Sequence, residues 1–197
     1  MKRQRAITVR LAGPGDRPRI EEFCRKRGYH GELCPAAVIV LAEAGADLIG
    51  LGRIQQEQGV LVLRGMRVDA PHRRTGIGMR LLELLLAGIG TRACYCIPYA
   101  HLREFYRGTG FDEVDAAGAP GFLRERVEAY REQGNDVILM MRPGVGQTRS
   151  VRPATMPASG STAIHRGART LAHAPEDQDS LLLAGTVQNA LLVHETV

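Results

Sequence analysis

"HRRTGIGMRLLELLL" (residues 72–86) sets two arginines and two glycines directly ahead of a leucine-rich run. Met79, Leu82, Leu85, Leu86 and Ile89 recur on one stripe while Arg80 and Glu83 fall elsewhere, which predicts an amphipathic helix over 76–89 that ends near Gly88 and Gly90. The apolar run before it closes at Val68, so the intervening loop aims several unpaired backbone N–H groups at one spot. Such a spot attracts anions. The helix dipole contributes only about 0.3–1 kcal/mol there, so the amide contacts and Arg73 and Arg74 must supply the rest of any phosphate affinity. Gly76 and Gly78 let the backbone approach a ligand without an intervening Cβ. Two other phosphate loops are excluded: no G-K-[ST] follows the glycines, and no G-x-G-x-x-G is paired with a downstream acid. Alone, R-x-x-G-x-G also describes a glycine-bearing turn with solvated arginines.

Outward from this stretch, short β-type and helical patterns alternate. "AITVRLA" (6–12) reads as a strand, followed by a helix that Asp16 can cap, with Ile20, Phe23 and Cys24 inward and Gly28 at its end. Residues 36–70 alternate β-branched and leucine runs with glycine breaks, which predicts three antiparallel strands near 37–43, 47–56 and 60–69. After the leucine-rich helix come a strand at 93–97 stopped by Pro98, a short helix at 101–107 and a strand at 111–114. A helix started by Pro120, with Leu123, Val127 and Tyr130 on one stripe, precedes a closing strand "VILMM" at 137–141.

Length and composition suit one domain with an appendage. The chain has 197 residues, 44% hydrophobic and 24% charged. Residues 1–144 hold 22 basic and 17 acidic side chains, whereas 145–197 hold four of each. Only two of the 26 basic residues are lysines, and arginine's planar fork suits carboxylate and phosphate. The basic residues are interspersed with acidic ones and not blocked with aromatics, so no nucleic-acid partner is expected. Cys24, Cys34, Cys94 and Cys96 lack zinc spacing and read as reduced thiols, with no metal expected. No segment approaches 18 continuous apolar residues and the N-terminus lacks an apolar h-region, so a soluble, cytoplasmic protein without a membrane partner is expected. From residue 145 onward Gly, Ser, Thr and Pro replace periodic patterns, and 145–179 reads as disordered. Residues 180–197 are apolar enough to dock as a short helix or strand.

Some 30 residues after the glycine loop comes "HLREFYRGTGF" (101–111). With it, the chain resembles the GNAT superfamily of N-acetyltransferases. That family's acetyl-CoA signature is a strand ending in Val, then R-x-x-G-x-G and a helix, and its later signature is F-Y-x-x-x-G-F. Val68, Arg73, Gly76 and Gly78 match the first, and Phe105, Tyr106, Gly110 and Phe111 match the second. Pro71, three residues after Val68 where two is commoner, and the helix at 120–133 depart from the pattern. The inserted helix bears either on substrate access or on a homodimer.

The resemblance implies an α/β GNAT fold: a mixed, mostly antiparallel twisted sheet of about seven strands with helices on both faces. It implies a domain over 1–144, with 145–197 as a low-complexity extension. It further implies that the backbone amides of Arg74, Thr75, Gly76, Ile77 and Gly78 hold the pyrophosphate of acetyl-CoA. The pantetheine arm would pair with the strand from Met66 to Val68, where strands four and five splay. A backbone N–H there would donate to the thioester carbonyl, and Tyr106 would sit beside the sulfur.

The reaction so implied moves acetyl from acetyl-CoA to a primary amine of a small molecule or peptide. A lysine-like amine is neutral only about one part in 2,500 at pH 7, a penalty of roughly 4.6 kcal/mol. A base, a water chain or a depressed amine pKa must offset it. Glu57, Asp69, His72, His30 and Glu32 are candidate bases, and the sequence does not choose among them. Tyr106, with an ordinary pKa of about 10, is a weaker acid than a thiol of about 8.5, so its expected role is to hydrogen-bond the nascent thiolate. Packing of Leu102, Phe105 and Tyr106 on one helix face is the alternative, and Tyr99 reads equally as a substrate contact or a surface aromatic. The basic surface leans toward an acceptor bearing carboxylate or phosphate and away from polyamines. A non-catalytic acyl-CoA-binding regulatory module on the same fold is the rival reading.

Overall fold

Two-residue turns fold residues 38–68 into a meander. Strand β2 (Val38–Ala44) closes on β3 (Asp47–Glu57) at the pair Ala44–Asp47, with Gly45 at φ +66° in the turn. Strand β3 closes on β4 (Val60–Val68) at Glu57–Val60, and the two linking residues, Gln58 and Gly59, both have positive φ. That is the turn whose twist matches a β-hairpin. The computed structural model describes residues 6–28 and 33–145. Strand β1 (Ile7–Leu11) lies antiparallel to β2, with helix α1 (Arg17–Lys26) between them in the chain. After β4, helix α2 (Ile77–Ile89) crosses over to β5 (Cys94–Cys96), which therefore runs parallel to β4. Helix α3 (Arg103–Arg107), β6 (Asp112–Glu113), α4 (Gly121–Glu132) and β7 (Met140–Arg142) complete a seven-stranded mixed sheet in the order β1-β2-β3-β4-β5-β7-β6.

Helices cover both faces. On one, Leu81, Leu82, Leu85 and Ile89 of α2 pack on Val40, Ala42, Ile54, Leu63, Met66 and Val68. Fully burying such a leucine is worth roughly 1.5–3 kcal/mol. A Cβ at Gly52 would lie 2.5 Å from Met66 Sδ and 2.7 Å from Leu85 Cδ1, so the missing side chain lets α2 sit directly on β3. On the opposite face α1 buries Ile20, Phe23 and Cys24 against Leu41 and Leu51, and α4 buries Leu123, Val127 and Tyr130 against Val62, Ile97 and Leu139. The pairing of β3 with β4 shifts register between Leu51 and Arg53, and Gly65 opposite takes φ +65°. This is a β-bulge carried by β4.

Two local expectations are corrected. The Asp16 side chain does not cap α1: its carboxylate accepts from the Gly13 amide at 2.7 Å and from Arg10 at 2.7 and 2.8 Å. The pull of the Arg10 guanidinium, which also binds Glu43 33 positions away on β2, outweighs the local cap. The closing strand is Met140–Arg142 and not 137–141, because Val137 makes an isolated bridge to Tyr99 and the Ile138 amide donates to Pro98. Residues 1–5, His30, Glu32 and the extension from 146 lie outside the described residues.

Candidate active site

The sheet opens between β4 and β5. Leu61, Val62 and Leu63 pair with Cys94, Tyr95 and Cys96, and there the ladder stops. Strand β4 runs on to Val68, whereas β5 meets Pro98, which brings no amide to a ladder. Past Leu63, the edge of β4 that faced β5 therefore has no strand against it among the described residues. The side chains of Met66 and Val68 in this segment are 3% and 1% exposed and anchor it to the α2 core.

The glycine loop closes one end of this opening. Residues Ala70–His72 form a single 3-10 turn that absorbs Pro71. Arg73 donates from Nε to the Val68 carbonyl at 3.0 Å, tying the loop to the end of β4, and Thr75 Oγ1 donates to the His72 carbonyl at 2.6 Å. Arg74 and Gly76 take φ +59° and +81°. For Arg74 that conformation costs about 1–2 kcal/mol, a strain kept in the loop that turns the chain into α2. The first bond along α2 runs from the Arg80 amide to the Gly76 carbonyl at 3.1 Å. The amides of Ile77, Gly78 and Met79 consequently point out of the helix end, with Gly76 as its N-cap.

Tyr106 sits on α3 and is 3% exposed. Its ring meets Phe105 edge-on at 5.0 Å and Phe111 edge-on at 6.0 Å, inside the core that also holds Cys96, the last residue of β5. Burial, with a smaller contribution from Cys96, pushes the phenol well above its ordinary range. It is thus a neutral hydroxyl at any working pH, able to donate to a nearby anion. Burial likewise pushes Cys94 up to about 12 and raises Cys96, so both are inert thiols.

The candidate bases among the described residues do not converge. Glu57 accepts from Arg64 at 3.1 Å, Arg126 at 2.7 Å and Gln55 at 2.9 Å, which makes it a bridge between β3, β4 and α4. Asp69 is gripped by Arg27 through both oxygens. His72 is half-buried in the 3-10 turn, and Tyr99 donates to Asn135 at 2.9 Å while stacking on His101. Sequence reasoning missed a group on the other face: Arg53 and Arg67, beside Arg27, line a cleft under α1. The signal was present as arginines inside apolar strand runs, "LGRI" and "GMRV", where a surface cation is out of place.

Among the described residues no cluster of three or more His, Cys, Asp or Glu could hold a metal, and no helix is long and apolar enough to cross a membrane. A family model for the acetyltransferase (GNAT) domain matches residues 18–121. No curated protein matches the chain. Among solved structures, ElaA of Escherichia coli is 17% identical with a TM-score of 0.50, over 70% of this chain and 99% of its own. The ribosomal-protein-S18-alanine N-acetyltransferase from Escherichia coli is 15% identical with a TM-score of 0.50, over 75% of this chain and 99% of its own. N-acetylglutamate synthase from Neisseria gonorrhoeae, complexed with coenzyme A and N-acetyl-glutamate, is 18% identical with a TM-score of 0.49 over 70% of this chain; the match spans 35% of that longer protein. The family model covers more than half of the sequence, and the seven-stranded mixed sheet with its β4–β5 opening is the fold that the resemblance implied. The chain belongs to the GNAT acetyltransferase family.

Proposed function

We propose that the protein is an acetyl-CoA-dependent N-acetyltransferase whose acceptor is the primary amine of a small molecule or peptide. The observation that carries this reading is the opening between β4 and β5 set directly against the outward amides of α2. In this reading the amides from Arg74 to Gly78 hold the pyrophosphate, and the backbone of Met66 to Val68 pairs with the pantetheine arm. One amide of that segment donates to the thioester carbonyl, where negative charge develops as the amine attacks. The new N–C bond forms as the C–S bond breaks. The leaving sulfur takes the electron pair, Tyr106 donates a hydrogen bond to it, and the proton shed by nitrogen ends on the thiol or in water.

The rival reading, an acyl-CoA-binding module without turnover, draws on the ion-paired state of Glu57 and Asp69, neither of which is poised to take a proton from an amine. Calorimetric titration of acetyl-CoA into the full chain, beside the double variant Arg73→Ala, Gly76→Val, tests the donor site. Binding should weaken by about 100-fold or more, because a β-branched side chain at φ +81° distorts the amide cradle. Undiminished binding in the variant would refute the assignment. Amine-dependent thiol release then separates the enzyme from the binding module.

A further inference from the structure

The face of the sheet opposite α2 carries a narrow cleft, partly open to solvent, walled by Phe23, Leu51 and Gly65 and by Arg27, Arg53 and Arg67. The three arginines differ. Arg27 spends its fork on Asp69 and lies over the Phe23 ring at 3.4 Å. Arg53 is 3% exposed and runs alongside Gly65. Arg67 has a buried Nε with no acceptor and forms no salt bridge among the described residues. Burial and the like charges of Arg27 and Arg73 push its guanidinium down, and the nearby carboxylate, Asp69, is already held by Arg27.

A buried guanidinium N–H without an acceptor is destabilising, and the deficit disappears when an anion supplies the missing oxygens. A planar fork matches a carboxylate in two parallel hydrogen bonds. The place matters as much as the charge. Arg67 is the residue between Met66 and Val68, whose backbone would pair with the pantetheine arm; its side chain leaves that same segment toward the opposite face. An anion on Arg67 would therefore sit across one strand from the thioester. The narrow, largely apolar cleft leaves little room for a folded protein surface.

We propose that the acceptor is a small amine that itself carries a carboxylate, an amino-acid-like acid, with that carboxylate seated on Arg67 at the Arg53 side of the cleft. This rests on the transferase reading but is testable apart from it. A site built to pair a charged group discriminates strongly against the analogue that lacks it, because its own donors are then left unmet.

The test titrates the full chain, with and without saturating coenzyme A, with the N-acetyl derivatives of the twenty amino acids, each as free acid and as primary amide. At least one free acid should bind roughly 30-fold or more tighter than its amide. Arg67→Met should collapse that ratio to below about threefold. Arg67→Lys, which keeps the charge and loses the fork, should leave it between the two and guards against a variant that fails to fold. Amides binding as well as acids, no acid binding at all, or a ratio that survives Arg67→Met would each overturn the proposal. A phosphonate analogue that binds more tightly than the acid would overturn the choice of carboxylate. Thiol release from peptide amines or neutral amines, with no preference for acids, would also refute it while leaving the transferase reading intact. If acetyl-CoA fails to bind, the transferase reading falls, and the acid-over-amide comparison without coenzyme A still decides this one.

Discussion

The two faces of the sheet are built from opposite materials. Under α2 the core is leucine, isoleucine, valine and methionine, closed by Tyr106 and Phe111. Under α1 stand the three charged residues that are buried in the described chain: Asp16, Glu43 and Arg53. Around them run the Arg10–Asp16–Glu43–Arg19 network and the Arg27–Asp69 pair. Burying charge adds little net stability and is costly when a partner is lost. The contrast points to different tasks: the apolar face is the platform that fixes the glycine loop and the β4 edge, and the charged face, in the proposed reading, meets the acceptor's carboxylate.

That division can be broken at several points. Leu85→Ala removes a side chain that is 0% exposed at the centre of the apolar face and should destabilise the fold by about 2–5 kcal/mol in urea unfolding. A loss below about 1 kcal/mol would show that α2 is not the platform. Tyr106→Phe should slow amine-dependent turnover by about 10- to 1,000-fold, or roughly 1.4–4 kcal/mol, with the acceptor KM little changed. An unchanged kcat would reduce Tyr106 to packing and leave the apolar face without a part in the chemistry.

The smallest effect belongs to the charged face. Arg10 and the Gly13 amide hold Asp16 well below its ordinary 3.8, and Arg10 and Arg19 hold Glu43 below its ordinary 4.5. Folded-state values lie below unfolded ones, so this stabilisation is complete above about pH 5 and is lost as pH falls through the carboxylate range. Arg10 is 37% exposed, which limits the contribution to about 1 kcal/mol. Between pH 6 and pH 3, the Asp16→Asn variant should therefore lose about that much less stability than the wild type. Equal losses would remove the network from the acid response.

Features set by local chemistry were legible. The stripe from Met79 to Ile89 and the glycine-broken runs of residues 36–70 gave elements within a residue or two of those found. The loop before α2 was readable because Gly76 and Gly78 leave few other uses for the backbone there. Pairings across the chain were not. Arg27 meets Asp69 over 42 residues of separation, and Glu57 meets Arg126 only because α4 folds back over the β3–β4 hairpin. Two of the candidate bases chosen by position, Glu57 and Asp69, therefore turned out to be tied into ion pairs. The arginines of the cleft were passed over for a related reason: simple alternation along β4 puts Arg67 on the same side as Leu61 and Leu63.

That last point turns on the bulge at Gly65. Before it, odd-numbered residues of β4 face α2, as Leu61 and Leu63 do; after it, even-numbered Met66 and Val68 face α2. The single additional residue is a change of parity in the middle of a strand. In the proposed reading, it lets one edge offer a dry, anchored backbone to the acetyl donor while the next side chain, a guanidinium, is turned to the opposite face toward the acceptor. Deleting one residue there would exchange the two roles, driving Arg67 into the leucine core and Met66 into the cleft.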